Sequence, residues 1–332
     1  MNAGIRRWRS VSYYDSQPWS DDLWEESSQI FEADPVRYHP FVIWRRVPFE
    51  GETINVNEQG IRTTTGSDCT PGAYKVFAFG GSTMWGFGSP DWLSIPSLLQ
   101  TELAGSTGRT ICIVNYAEPA FVSTQGALQL LLELQKGNLP DLVIFLDGVN
   151  DVIAGYQNGR PGGHHNEDRI RALLNNSDHL VRTVLESSNS YELIHILTSR
   201  RSSDPVLAEI ITDPRFAVEV GEVYLFNIAL VSHMAERYGF DYQFFLQPVL
   251  TVGDKPLTEE EEAFSTGLDP VLVDLMSAVY EYIERTQADQ AHFTSLSPIF
   301  DHVDGLVWID AFHLTGDANR LVAAAIAESL LR

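Results

Sequence analysis

The stretch "VFAFGGSTMWGFG", residues 76–88, opens as a buried strand and then turns into glycines set around one hydroxyl and one tryptophan. Three readings compete for such a turn: a phosphate cradle, a nucleophile, or an ordinary strand-to-helix connection. A P-loop needs Lys and Ser or Thr after its last glycine, and here Phe87 follows Gly86. A dinucleotide fingerprint lacks its third glycine after Gly86 and Gly88. The GxSxG elbow fails too, because Met84 stands where glycine is required. What remains is Ser82 just past the carboxyl end of an apolar strand, where open α/β sheets place their sites.

Outward from this stretch, apolar runs of strand length alternate with longer helical patterns. "YKVFAFG" (74–80) precedes "SIPSLLQTELAG" (94–105), with Ser94 as a cap and Pro96 in the first turn, where proline is tolerated. "RTICIVN" (109–115) precedes "STQGALQLLLELQKG" (123–137), with Leu128, Leu131 and Leu132 on one face and Gly137 as the stop. "DLVIFLDG" (141–148) and "FDYQFFLQP" (240–248) read as further strands, the latter after a helix over 217–239. The chain closes on a helix over 315–332, preceded by the short apolar "LVWI" (306–309). Strands apolar on both faces, alternating with helices, predict a parallel sheet covered on both sides.

The first 70 residues differ, being turn-rich with short alternating stretches that suit a hairpin-containing extension packed on a main domain of residues 71–332. The long interval between 152 and 300 leaves room for lids, and "AGYQNGRPGGHHNEDR" (154–169) and "QPVLTVGDKPLTEEEEAF" (247–264) are the candidates.

Composition bounds the function. A 332-residue chain with 44% hydrophobic content can bury a large core. A net charge of -23 argues against nucleic acid, whose binding depends on neutralising phosphates, and against anionic membrane surfaces. No run approaches the roughly 20 apolar residues that span a bilayer, and "MNAGIRRWRSVSYYD" lacks the apolar region of a signal peptide. The chain as written reads as cytoplasmic, or as exported or anchored where an upstream leader has been removed. Cys69 and Cys112 make neither a disulfide framework nor a CxxC site. Cys112 reads as a small buried hydrophobe, and whether the two pair stays open. His164 and His165 are adjacent and make a poor metal signal.

A serine hydroxyl needs a base, and the base needs a partner that fixes its tautomer. "VWIDAFHLTGDANRL" (307–321) offers both, with Asp310 and His313 three residues apart. Carbonyl chemistry also needs donors aimed at a developing oxyanion. "DLVIFLDGVND" (141–151) offers the Asn150 side chain, with Gly148 permitting close backbone approach. The loop in "VNYAEPAFVSTQG" (114–126) adds amides before the next helix. Each piece has an ordinary reading as a turn or a cap; together they lie at four strand ends in a compatible order.

With these blocks in hand, the chain resembles the SGNH (GDSL-type) hydrolase superfamily. "GGST" carries Ser82, "NYAEPAFVSTQ" the second block, "GVND" Gly148 and Asn150, and "DAFH" Asp310 and His313. The resemblance covers roughly residues 71–332. It implies a three-layer α/β/α sandwich with a flavodoxin-like parallel five-stranded sheet, and hydrolysis of an ester, thioester or amide through an acyl-serine, with no metal or cofactor. The opening "YHPFVIWRRVPFEGETINVNEQGIR" (38–62) is similar to a bacterial subgroup of unassigned activity, some members of which carry an N-terminal membrane anchor.

Two departures from the family pattern stand out. Gly81 replaces the acid of Gly-Asp-Ser, which should affect turn packing more than chemistry. Ala120 replaces a glycine that donates to the oxyanion. The donor survives where the local φ is negative; a φ above zero would strain Ala120 and compromise it.

The reading that follows is a serine esterase of a small acyl group, with acetyl on a carbohydrate implied by the superfamily. Ser82 is the nucleophile, His313 the base and Asp310 its partner. The oxyanion is held by Ser82, Ala120 and Asn150, with Gly148 beside them. An acyltransferase with the same triad, or an inactive binding protein of the same fold, are the alternatives. Trp85 and Phe87 could line an acyl pocket or pack the turn. Arg45 and Arg46, adjacent on a strand, point to opposite faces and read as a solvated pair. Asp317 could cap the last helix, "LTEEEEAF" (257–264) reads as a solvated helix start, and Asp301, His302 and Asp304 read as loop.

Overall fold

The computed structural model of the chain describes residues 3–33, 36–167, 170–171 and 205–332. Its N-terminal segment begins with helix α1 (Ala3–Arg9), a 3-10 turn (Ser12–Ser16) and α2 (Ser20–Ser28). Two antiparallel pairs follow: β1 (Val36–His39) with β2 (Ile43–Arg46), and β3 (Phe49–Glu50) with β4 (Asn55–Val56). Ile5, Trp8, Leu23, Trp24, Ile54 and Val56 join the same buried core as the main sheet. Burying that much apolar surface, at roughly 25 cal/mol per Å², ties the segment firmly to the rest.

The alternating region then runs β5 (Tyr74–Gly80), α3 (Ser82–Trp85), α4 (Ile95–Thr107), β6 (Ile111–Asn115), α5 (Ser123–Gln135), β7 (Leu142–Asp147) and α6 (Val149–Asn158). It resumes with α7 (Pro205–Thr212), α8 (Pro214–Tyr238), β8 (Asp241–Leu246), α9 (Glu259–Thr266), α10 (Pro270–Gln287), β9 (Phe293–Ser295) and α11 (Gly316–Leu331). The central sheet has the order β6-β5-β7-β8-β9, parallel throughout. Helices α4 and α11 pack together, and α5, α6, α8 and α10 form a second layer. This is the three-layer α/β/α sandwich with the flavodoxin-like order 2-1-3-4-5. Stacked rings cross its middle, Phe79 on Phe145 and Phe145 on Phe244, with centroids 4.9 and 4.4 Å apart. The order reverses at β5, so its carboxyl end is the switch point where such sheets bind ligands.

Several local expectations change. The fifth strand, not located from the sequence, is β9, three partly buried residues; the apolar "LVWI" run closes a turn through the Trp308–Leu314 bridge. Helix α8 starts three residues before 217, because Asp213 caps it and Pro214 opens it. Over part of its 25 residues α8 is apolar enough to span a bilayer (mean hydropathy 1.2). Tyr224, Ile228 and Val231 are nonetheless buried in the core, as in an ordinary core helix. Ser94 occupies the cap position of α4 but bonds Asp91 O and Ser97 Oγ instead of an orphan amide. Thr315, and not Asp317, caps α11.

Charged groups depart furthest from expectation. Arg45 and Arg46 are both buried. Arg46 pairs with Glu118 at 2.9 Å and lies over the Phe31 ring, while Arg45 lies over Phe121 and donates to Ala117 O. The acidic run is also only partly solvated. Glu261 forms a capping box with Thr258, pairs with Lys255, and accepts from the amides of Val307 and Trp308. Cys112 is buried as expected, but it is bonded to Cys69 in a disulfide between the loop before β5 and strand β6.

Candidate active site

Ser82 begins α3, immediately past Gly80 and Gly81 at the end of β5. Its hydroxyl lies 2.7 Å from His313 Nε2. Across the imidazole, Nδ1 lies 2.7 Å from Asp310 Oδ2. A carboxylate on Nδ1 fixes the proton there, which leaves Nε2 as an acceptor and makes Ser82 Oγ the donor. The sequence spacing explains this geometry. Asp310 Oδ1 accepts from the amides of Phe312 and His313, folding "DAFH" into a turn and presenting Oδ2 to the ring three residues on. Burial pushes the Asp310 carboxyl up, but His313 and those two amides outweigh it and hold the acid below the usual carboxylate range.

Several bonds lock the turn in place. Phe312 O accepts from Thr83 Oγ1 on α3 and from Gln247 Nε2 just past β8. Ile309 N donates to His313 O, and Leu250 N donates to Ala311 O. On the far side of the acid, Trp8 Nε1 of α1 donates to Asp310 Oδ2 at 2.7 Å. The Phe87 ring packs 4.7 Å from the His313 ring.

Facing the serine, the Asn150 side chain on α6 donates to Phe121 O at 2.8 Å, which leaves one N–H of its amide. A Cβ at Gly81 would stand 2.2 Å from Asn150 Nδ2, so this amide leaves no room for a side chain at the residue before Ser82. The missing acid is therefore a fitted absence: any side chain at 81 would displace Asn150. Ala120 has φ of 66°, the left-handed region, so the strained alternative holds, at about 1–2 kcal/mol. Among the described residues no acceptor bonds the amide of Ser82 or that of Ala120. Gly148 begins α6 with φ of 109°, and a Cβ there would meet Leu246 Cδ1 at 2.5 Å, so its role is close approach to β8.

Trp85 and Phe87 pack the turn. Both are buried, Trp85 between Arg62 and Phe31 and Phe87 among Trp8, Trp24 and Phe31, forming a wall behind the site. Both lid candidates adjoin the site. The stretch from Gln247 touches the 311–312 turn, as the bonds above show. In the other, His164 packs on Trp44, and buried His165 is hydrogen-bonded to the backbone of Asn150. Desolvation, then its neighbour His164, pushes the His165 imidazole down to about 3, so it stays neutral. Residues 168 and 169 of that candidate lie outside the described residues. Asp301 accepts from the Asp254 amide in a surface loop, away from this constellation. Among the described residues no group of three or more His, Cys, Asp or Glu could hold a metal.

Sequence reasoning passed over Trp8, Thr83, Gln247, Glu118 and Arg62. Arg62 pairs with Asp91 and donates to the carbonyls of Trp85, Gly86 and Ser89, which ties down the glycine turn after Ser82. The aromatic-rich opening "RRWRSVSYYDSQPW" was the available signal that this segment packs inward.

No family model matches the chain, and no curated protein matches it. Solved structures do. A member of the lipolytic G-D-S-L family from Veillonella parvula is 13% identical, covers 78% of this chain and 98% of its own, and has a TM-score of 0.40. A lipase, Lip_vut3, from a goat rumen metagenome is 9% identical over 77% and 97%, with a TM-score of 0.45. An esterase, EstA, from a Pseudoalteromonas species is 13% identical over 78% and 97%, with a TM-score of 0.39. Likeness at this level fixes nothing about chemistry, which here rests on the chain's own side chains.

Proposed function

We propose that the chain is a serine esterase that hydrolyses a small acyl ester through an acyl-serine. The observation that carries the reading is the unbroken line of 2.7 Å contacts from Ser82 Oγ through His313 to Asp310. Ser82 Oγ attacks the acyl carbon as His313 Nε2 takes its proton, and Asp310 stabilises the imidazolium that forms. The oxyanion is met by the amide of Ser82 and by the second N–H of Asn150; the Ala120 amide, whose donor role depended on a negative φ, is left out because its φ is 66°. Collapse expels the alcohol with the proton returned from His313, and water then repeats the sequence on the acyl-serine, releasing the acid. The substrate assigned is an O-acetyl or similarly short ester, on a carbohydrate or other small molecule. The Cys69–Cys112 disulfide supports an oxidising compartment as the place of action.

The test is hydrolysis of p-nitrophenyl acetate alongside labelling by a fluorophosphonate. Wild type should turn over the ester and take the label, and Ser82→Ala should do neither. Asn150→Ala should keep the label site but lose on the order of 100- to 1,000-fold in kcat. Undiminished turnover in Ser82→Ala would end the proposal.

A further inference from the structure

The first helix reaches the site from the opposite end of the chain. Trp8 Nε1 and Asp310 Oδ2 are 302 residues apart in sequence and 2.7 Å apart in space. An indole N–H is a donor only, and toward a carboxylate its bond is charge-assisted. The indole is held in place by its neighbours. Its ring meets Phe87 edge-on with centroids 4.8 Å apart and stacks near Trp24 at 6.4 Å. Phe87 in turn covers the His313 ring. One side chain therefore bonds the acid and backs the ring that shields the base.

We propose that Trp8 is a positioning residue for the triad acid, so that the N-terminal helix is a working part of the active site. The inference rests on the serine-esterase reading above. Asp310 Oδ1 is anchored by two amides of its own turn, while among the described residues Oδ2 meets only the imidazole and the indole. With the indole removed, the imidazole is the one described group left to orient Oδ2. More of the carboxylate's charge then acts on the imidazolium. Productive geometry becomes less populated, and the acid limb of the rate profile moves to higher pH.

The other groups near this acid are already engaged. From the 3-10 turn, Tyr14 donates its hydroxyl to Gly88 O, and from α3 the Ser82 hydroxyl bonds His313. On α1, Arg9 pairs with Asp21 and Arg7 lies over Phe264. On α9, Glu260 accepts from Ser12 and Glu261 from the amides of Val307 and Trp308. None of them takes over the indole's bond.

The experiment measures the second-order rate at which a fluorophosphonate modifies Ser82 in the full chain, across pH 4 to 9. It compares wild type, Trp8→Phe, and a form with Trp8 replaced by benzothienylalanine, which carries sulfur where the indole has its N–H. The isostere preserves packing, so it answers even where Trp8→Phe loosens the helix. Expected is a loss on the order of 10- to 100-fold in both, with the acid limb moved up by about one unit. A benzothienylalanine form that reacts at the wild-type rate with an unmoved limb overturns the inference alone. Wild type that resists the probe overturns the serine-esterase reading instead, and this inference with it.

Discussion

Beneath Asn150 lies a second pair of carboxyls whose proton count sets how the fold responds to pH. Asp147 ends β7 and is buried beside Asp151, which accepts from the Ser123 amide and hydroxyl. Burial, then the charge of Asp151, pushes the Asp147 carboxyl well above its ordinary value. An acid raised in the folded state binds its proton there more tightly than in the unfolded chain. Its contribution is fully present below the unfolded value, near 3.9, and is lost as pH rises through the folded one. Asp147→Asn keeps the shape and removes the proton. Calorimetry should therefore show Tm close to wild type at pH 4 and above it at pH 8; an equal difference at both would contradict this assignment. At this scale Ser82, Asn150, Asp310 and His313 were legible because each is a polar residue set just past an apolar run. Trp8 was not, because nothing in a sequence separates an indole that packs from one that also donates across the molecule.

Among the elements, the β1–β2 hairpin is the one whose role most exceeds its size. Arg46 donates to Glu118, two residues before Ala120, and Trp44 donates to Pro119 O. Val42, Trp44, Ala120 and Phe121 share a small apolar cluster. The hairpin thus holds the strained loop beside the serine. Burial pushes the Glu118 carboxyl up, against the pull of Arg46 and Arg45. Arg46→Ala would strand that carboxylate and should cost about 3–5 kcal/mol in urea unfolding. The double change Arg46→Met with Glu118→Gln should cost less, and a double that costs as much as the single would refute the ion-pair account. The sequence marked the arginines as solvated because a pleat has two faces; it could not show that both faces of β2 are covered. Strand β9 was passed over for a related reason. A three-residue edge strand with one neighbour needs no apolar run, whereas "LVWI" has one but spends it closing a turn.

Taken whole, the sheet was readable because parallel strands buried on both faces must be mainly apolar, and β5, β6, β7 and β8 are, with polar residues chiefly at their ends. The N-terminal segment was read only as a hairpin-containing extension packed on the main domain; its helices α1 and α2 were missed, since their core residues are spaced too irregularly to show a period. The disulfide joins the sheet at the edge opposite the site: in the β5–β6 register Cys112 lies beside Lys75, near the start of β5, while Ser82 follows its end. It closes a loop with a sequence separation of 43. Replacing Cys69 by Ser and Cys112 by Ala should lower unfolding stability by about 2–4 kcal/mol while leaving kcat at 25 °C unchanged. A fall in kcat in the folded variant would mean that the staple reaches the chemistry.

The bond between Ser82 and His313 joins residues separated by 231 positions. During translation, therefore, the hydroxyl emerges and its strand can pair long before its base exists. On the proposed reading, a nascent polypeptide could assemble much of the sheet and still leave every ester around it untouched. On that reading, reactivity waits until the turn at residues 310–313 has docked beside the carboxyl end of β5.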